Sequence, residues 1–241
     1  MKSFFTILTT LSLLLNTGFL QAQNGEILNE EITVGLNLNT NAGLIGGGVF
    51  RYSKRHSEHA WNTYSIEIVN VKHKKEERFS SALSGKTFVR GKLNYLLSIR
   101  PQYAREIVLF NKYPEEGIHV NAVLGIGPTF GLVKPYFVEY SLDPEGEQFE
   151  IVPYNPDVHE DGKILGSGGF FTGFDQSKIQ LGLHLKAALN FEFGRFDSVI
   201  TGVETGLTVE GFTKRIDLYP TTDNSQVFSA VFLTFYYGSR Y

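Results

Sequence analysis

The side chains best suited to chemistry are ionisable groups that alternate with apolar residues toward the C-terminal end. Period-two alternation places the following on one side of two consecutive segments: His184, Lys186, Glu192, Glu204 and Glu210. A histidine beside a carboxylate is the pair that activates a serine nucleophile. The sequence puts no serine beside His184, whichever of Glu192 and Glu204 is its partner. We therefore predict no catalytic residues. An enzyme acting on membrane lipid, of the deacylase or acyltransferase type, remains the alternative.

A second candidate is the histidine pair in the stretch SKRHSEHAW. His56 and His59 lie three residues apart with Glu58 between them. Protein zinc sites take three or four ligands in fixed geometry. This stretch has no helical pattern to align the two imidazoles and no clear third ligand. We predict no metal site and no cofactor.

Residues 131–177 form a long stretch rich in acidic and aromatic side chains. Between residues 139 and 161 the stretch has no Lys or Arg, and its acidic residues include Asp143, Glu145, Glu147, Glu150, Asp157 and Glu160. DPEGE lacks the full spacing of an EF-hand loop, so a specific cation site is not expected. Aromatic loops on rigid scaffolds often carry binding. The stretch is therefore predicted to be a loop insertion that contacts a protein partner.

The elements that must position these residues are β-strands, because most of the chain alternates apolar and polar residues. The segment 179–193 has an apolar face without a polar interruption, and it exceeds the about 9–11 residues of a membrane-crossing strand. The segment 102–110 is the least regular, since Arg105 and Glu106 put a charge on both faces. Nine segments show the pattern: 32–38, 44–52, 64–68, 89–100, 102–110, 120–127, 179–193, 199–210 and 231–241.

The two ends of the chain indicate export. Residues 1–22 have the charged start, apolar centre and small-residue end of a cleaved signal peptide, with cleavage expected near Ala22 or Gln23. The last segment, VFLTFYYGSRY, alternates to its final residue, which indicates a strand tied into a sheet.

The absence of cysteine excludes an acylated anchor and a disulfide framework. A net charge of −3 without a long basic tract argues against a nucleic-acid partner.

Alternation alone fits both a soluble sandwich and a membrane barrel, since the apolar face meets a core in one and lipid in the other. The long apolar faces, the mixed charges opposite them and the export signal favour a closed antiparallel transmembrane β-barrel for residues 23–241. A secreted or periplasmic β-barrel that binds a lipophilic ligand is the second alternative. Nine segments conflict with the even strand number of such barrels, so eight and ten strands both stay open, as does the direction of the loops.

Three stretches carry a resemblance to known proteins: the signal end LQAQ, the terminal FLTFYYGSRY and the middle segment GKLNYLLSIRPQYAREIVLFNK…GIHVNAVLGIGPTFGLVKPY. They resemble small outer-membrane β-barrel proteins of the Bacteroidota type. The resemblance implies a place in the outer membrane, contact with its lipid and lipopolysaccharide, and folding by the barrel-assembly machinery. It also implies that the terminal aromatic residues Phe235, Tyr237 and Tyr241 act as the assembly signal.

The inward faces of such a barrel would carry charges of both signs. The predicted lumen network is Glu67, Arg90, Lys92, His184, Lys186, Glu192, Glu204 and Glu210. An eight-stranded barrel is just wide enough for side chains to fill, and buried charges are tolerable chiefly when paired. We expect Lys186 or Lys92 to meet a strand glutamate and the lumen to be closed. The predicted function is a non-enzymatic scaffold, partner-binding component or narrow channel.

Overall fold

Eight long antiparallel strands form a closed barrel in the computed structural model, which describes residues 29–73, 76–110, 118–193, 198–220 and 224–241. The predicted signal peptide lies outside these ranges. Within them, no helix has the length and apolar character needed to cross a membrane. The barrel strands are β1 Glu30–Asn39, β2 Gly43–Ser57, β3 Ala60–Val71, β6 Asn94–Phe110, β7 His119–Pro135, β11 Lys178–Phe193, β12 Val199–Phe212 and β13 Val227–Arg240.

The predicted closed antiparallel barrel is confirmed, and its strand number is eight rather than ten. The odd count of segments arose because 89–100 and 102–110 are parts of one strand. β6 begins only at Asn94 and continues through Pro101 without a break, since Pro101 stays in register with Ile66 of β3. Even-numbered residues of β6 therefore face inward on both sides of the proline, and Glu106 belongs to the lumen.

The barrel is apolar outside and polar inside. Leu183 on the outer face is 66% exposed, whereas its neighbour His184 on the inner face is 1% exposed. The same alternation holds along β3, where Ile66 and Ile68 are exposed and Glu67 is buried. A soluble barrel has the reverse arrangement, because its apolar side chains fill the interior. The observed arrangement is the one expected of a barrel surrounded by lipid.

The barrel closes where its last strand meets its first. β13 pairs with β1 from Glu31↔Arg240 to Asn39↔Phe232 without a register shift. The backbone of Tyr241 extends this pairing, since its N–H donates to Glu30 O at 2.9 Å and its carbonyl accepts from the N–H groups of Asn29 and Glu30. Phe235, Tyr237 and Tyr241 all lie on the outer face and are about half exposed.

The connections at the opposite end of the barrel fold into a cap. They contain β4 Arg78–Ser80, β5 Thr87–Val89, β8 Phe137–Ser141, β9 Phe149–Pro153 and β10 Ile164–Ser167, with single-turn 3₁₀ helices at Asp161–Lys163 and Phe174–Gln176. β8 lies between β10 and β9 in one small sheet, and β4 pairs with β5 in another. The predicted insertion 131–177 is therefore corrected. β7 extends to Pro135, and the residues that follow it have secondary structure of their own.

The cap has its own apolar core and two ionic clasps. Its buried side chains include Phe88, Tyr136, Val138, Tyr154 and Ile164, contributed by both the β3–β6 and the β7–β11 connections. The clasps join the same two connections. Lys86 Nζ lies 2.6 Å from Glu139 Oε2, and Arg90 Nε lies 2.5 Å from Asp161 Oδ2. The cap is thus one packed unit and not a set of independent loops.

Deletion of Arg240 and Tyr241 should impair formation of the barrel. It removes the backbone bonds at the β1–β13 seam and the guanidinium that binds Glu31 and Glu192. We expect a lower fraction of protein that migrates faster unheated than boiled on a detergent gel. A matched control is Lys163→Ala, which removes a cation from an exposed pair in the cap. Equal amounts of heat-modifiable protein in the truncated and control variants would contradict the importance of this seam.

Candidate functional site

The centre of the lumen holds a layer of buried charges. Three cations, Arg51, Arg100 and Lys186, face three carboxylates. Arg100 donates to Glu210 at 3.0 and 2.8 Å and to Glu67 at 3.1 Å. The carboxylates are Glu67, Glu204 and Glu210, so the layer is formally balanced.

Glu204 is the meeting point of the other two cations. Arg51 Nη1 lies 2.8 Å from Glu204 Oε2, and Lys186 Nζ lies 2.7 Å from Glu204 Oε1, an ion pair without the angles of a hydrogen bond. Lys186 also lies above the ring of Phe232, 4.5 Å from its centroid. These groups come from β2, β11 and β12, so the ion pairs join strands that do not all pair with each other. Glu204 is 1% exposed, and its charge depends on these two partners.

A hydrogen-bonded network lies between the charge layer and the end of the barrel that carries the termini. Glu106 accepts hydrogen bonds from Thr63 Oγ1 at 2.6 Å and from Asn190 Nδ2 at 3.3 Å. Tyr236 OH donates to Asn190 Oδ1 at 2.5 Å. A glycine makes room for this ring, because a Cβ at Gly202 would lie 2.2 Å from the Tyr236 hydroxyl. Side chains crossing from four strands thus fill the lumen at this level.

The terminal end is closed by a further ionic group. Arg240 donates to Glu31 at 2.7 Å and to Glu192 at 2.9 Å. The ring of Trp61 lies beside two guanidinium groups, with the Arg55 carbon 4.8 Å and the Arg240 carbon 5.4 Å from its centroid. Because Arg240 comes from β13 and Glu31 from β1, this group also joins the two strands of the seam.

An apolar layer closes the end next to the cap. Inward residues of the strands meet residues of the β12–β13 connection that fold over the opening. The strand residues are Val69, Val71, Leu96 and Phe212, and the connection supplies Ile216, Leu218 and Tyr219. The backbone N–H of Leu93 donates to Leu218 O at 2.9 Å, which ties the layer to the cap. From the terminal end to the cap, the lumen is therefore filled by an ionic group, a hydrogen-bonded network, the central charge layer and an apolar layer.

The structure places six of the eight sequence-predicted network residues inside the barrel: Glu67, His184, Lys186, Glu192, Glu204 and Glu210. Two predictions are wrong because β6 starts after them. Arg90 lies in the cap, where its exposed side chain pairs with Asp161. Lys92 is buried between β5 and β6 and pairs with Glu76 at 2.7 Å, away from the strand glutamates. It is Lys186 that meets a strand glutamate.

Several lumen residues were missing from the sequence-based network. Arg51 lies in a glycine-rich segment where alternation is weak, and Arg100 and Glu106 lie in two segments that the sequence analysis separated at Pro101. The even spacing of Ser98, Arg100 and Gln102 would have identified the β6 set if the alternation had been continued through the proline. The role of Arg240 could not be predicted from the local sequence, because it depends on the register in which β13 pairs with β1.

The catalytic grouping considered for His184 is not assembled. His184 Nδ1 lies 3.0 Å from Thr129 Oγ1, and its Nε2 is buried without a hydrogen-bond partner in the described part of the chain. Glu192 binds Arg240, and Glu204 binds Arg51 and Lys186. Among the described residues, no three or more His, Cys, Asp or Glu side chains are grouped to hold a metal ion.

Comparison with known proteins gives similarity in solved structures only. No protein-family model matches the sequence, and no curated protein matches it. The chain is similar to Neisserial surface protein A (7% identity, 88% of this chain, 96% of that chain, TM-score 0.42). It is also similar to Ail, the attachment invasion locus protein of Yersinia pestis (11% identity, 89% of this chain, 100% of that chain, TM-score 0.39). A structure of Ail in complex with the heparin analogue sucrose octasulfate matches with 10% identity, 88% and 98% coverage and TM-score 0.38. Similarities at this level assign no function to the chain.

Removing the charge of Glu204 should destabilise the barrel strongly. Glu204→Gln leaves Arg51 and Lys186 buried with an excess of positive charge, and breaking a buried pair in this way costs about 3–5 kcal/mol. The expected result is a lower urea midpoint in detergent, followed by the fluorescence of Trp61, the only tryptophan in the sequence.

The matched control is Glu30→Gln, the same chemical change in the exposed pair with Lys54. Its midpoint should stay at the wild-type value, because exposed ion pairs contribute little. Equal shifts in the two variants would show that the lumen pair is not dry.

Proposed function

We propose that this chain is an integral outer-membrane protein whose barrel anchors the cap, and that it acts through the cap by binding a partner, without catalysis and without conducting solutes. The observation that carries the proposal is the filled lumen. Balanced ion pairs occupy its centre, and apolar side chains close it beneath the cap. When side chains that stabilise the fold fill the interior of a barrel, the exposed loops are the part that remains available for function.

The exposed outer face supports the placement in a membrane. Leu36, Leu124, Leu183 and Leu207 are each about 60% exposed, and they lie around the barrel on β1, β7, β11 and β12. A soluble monomer rarely exposes so continuous an apolar surface. Lipid also excludes unpaired backbone groups, a condition that a closed barrel meets.

The lengths of the connections support a direction for the barrel. The termini and the two-residue turn between Ser57 and Ala60 lie at one end, and the long connections 72–93 and 136–177 lie at the other. Outer-membrane barrels have short periplasmic turns and longer extracellular loops. The cap then faces the outside of the cell.

The edge strand β9 is the part of the cap best suited to a protein partner. β9 pairs with β8 on one side, and no other strand in the described ranges pairs with its second side. Its side chains Phe149 and Ile151 are about half exposed, and Glu150, which alternates with them on the other face of the strand, is exposed as well. An exposed edge of this kind accepts an added strand from a partner. The acidic surroundings favour a partner segment that is basic and apolar.

Purified wild-type protein in a planar bilayer should show no steady conductance, because the charge layer and the apolar layer both block the path. In cells the protein should fractionate with outer membrane, and the purified protein should shift in mobility on boiling. Large, steady single-channel currents would replace this proposal with a porin function. A mass change in lipopolysaccharide incubated with the protein would replace it with the lipid-enzyme alternative.

The role of β9 is tested with Phe149→Ser/Ile151→Ser. Crosslinking in native outer membrane followed by mass spectrometry should recover a partner with the wild type and lose it with this variant. Leu83→Ser changes an equally exposed apolar residue in the β4–β5 turn and serves as the control. Loss of the same partner from both variants, or from neither, would contradict a binding site on β9.

A further inference from the structure

The outer wall of the barrel has a cationic cavity directly beneath the cap. The cavity has a volume of about 320 Å³ and is lined by Lys72, Arg78, Lys92, Glu76, Tyr95 and Phe170, with Asn70 and Val89. Lys72 and Tyr95 belong to the outer side of the wall, because they continue the outward positions of β3 and β6. The cavity therefore opens toward the surroundings of the barrel and not toward its lumen.

The charges of this cavity are unbalanced. Lys92 Nζ is bound to Glu76 at 2.7 Å and lies 4.1 Å from the centroid of the Tyr95 ring. Burial lowers the pKa of the Lys92 ammonium below its ordinary value, and the Glu76 carboxylate opposes that shift. Among the described residues, neither Lys72 nor Arg78 has a carboxylate within ion-pair distance. Three cations and one carboxylate thus leave the cavity ready for an anion.

An apolar groove continues from the cavity down the same wall. It has a volume of about 620 Å³ and is lined by Phe50, Ile66, Ile68 and Leu97 beside Gly46, Gly47, Gly48 and Val49. Asn70 lines both the groove and the cavity. Gly48 lies between Leu36 and Ile68 on the outer face, so its missing side chain leaves part of the groove open.

One aromatic side of the cavity is held by a buried lysine. Lys134 is 2% exposed and donates to Thr172 O at 2.7 Å. Its ammonium lies 5.1 Å from the centroid of Tyr95 and 5.8 Å from that of Phe170. This contact holds the loop against the wall. The neighbouring Phe171 is 83% exposed and extends the apolar surface at the rim.

We propose that the cavity and the groove together form a binding site for one phosphorylated lipid of the outer leaflet. Its anionic headgroup would lie among Lys72, Arg78 and Lys92, and an acyl chain would lie along Ile66 and Ile68. Guanidinium and ammonium groups are the usual partners of phosphate oxygens. The order along the wall matches a lipid in that leaflet, since the cations are next to the cap and the apolar groove is deeper. The proposal rests on the membrane placement proposed above.

The headgroup half of the site is tested with Lys72→Gln/Arg78→Gln. Folded, delipidated protein in detergent is titrated with diphosphoryl lipid A, and the bound fraction is measured by native mass spectrometry. Loss of two charged contacts should weaken binding by about tenfold or more. The control, Lys214→Gln/Arg215→Gln, removes the same charge from exposed residues at the same end of the barrel and should bind like the wild type. Equal weakening in both variants would show general charge attraction and overturn the site.

The acyl half is tested with Gly48→Leu, which fills the groove from a position where an added Cβ meets only Gly35 O at 3.8 Å. This variant should weaken lipid A binding without changing the mobility shift on boiling. If Gly48→Leu bound lipid A with wild-type affinity, the proposed binding of an acyl chain in the groove would be wrong. If inorganic phosphate displaced bound lipid A as effectively as unlabelled lipid A does, the proposal would be replaced with a site for a soluble anion. A folded protein that fractionates with outer membrane and does not bind lipid A refutes this site and leaves the membrane placement intact.

Discussion

Every backbone N–H and C=O of a sheet in lipid must find a partner within the sheet, and the pairing of β13 with β1 meets that condition here. The period-two geometry of the strands then determines the rest. Once the sheet is closed, alternate side chains can only point to lipid or to a narrow interior. An eight-stranded barrel is just wide enough to be filled by side chains, so polar inward residues have no bulk water to solvate them and must bind one another.

The ion pairs of the lumen follow from this lack of space. Arg51, Arg100 and Lys186 come from three different strands. The two arginines reach carboxylates of β12, a strand with which neither β2 nor β6 is paired, whereas Lys186 reaches Glu204 on the neighbouring strand. Such pairs are weak evidence for stability relative to an apolar core, because desolvation opposes the attraction. They do restrict the register, since a one-residue slip would turn each charge toward lipid. The same side chains that specify the register also block the path through the barrel.

The sequence was sufficient for the strands and insufficient for the cap. The alternation in β3, β11 and β12 assigned the correct face to every residue it covered, because burial on one face leaves a local pattern. Pro101 interrupted that inference in β6, although an extended strand with an outward proline does not need to end there. Arg90 was placed in the lumen because the segment 89–100 alternates, but the strand begins at Asn94 and the arginine binds Asp161 instead. Contacts between distant connections, such as this one, have no local pattern to predict them.

Basic and acidic residues are segregated between the two connections that form the cap, and this segregation determines how the connections pack together. The connection 72–93 has seven Lys or Arg and two Glu, whereas the connection 136–177 has nine Asp or Glu and one Lys. Opposite charges bring the two together at Lys86–Glu139 and Arg90–Asp161, around a shared apolar core. Of the basic residues that these clasps do not use, Lys72, Arg78 and Lys92 line the cavity at the wall of the barrel. Most of the acidic residues that the clasps do not use belong to the connection 136–177 of the cap. The wall therefore carries the surface that we propose for an anionic lipid, and the cap carries the surface that we propose for a basic partner. One pattern of charge along the sequence thus separates a basic surface at the wall from an acidic surface on the cap.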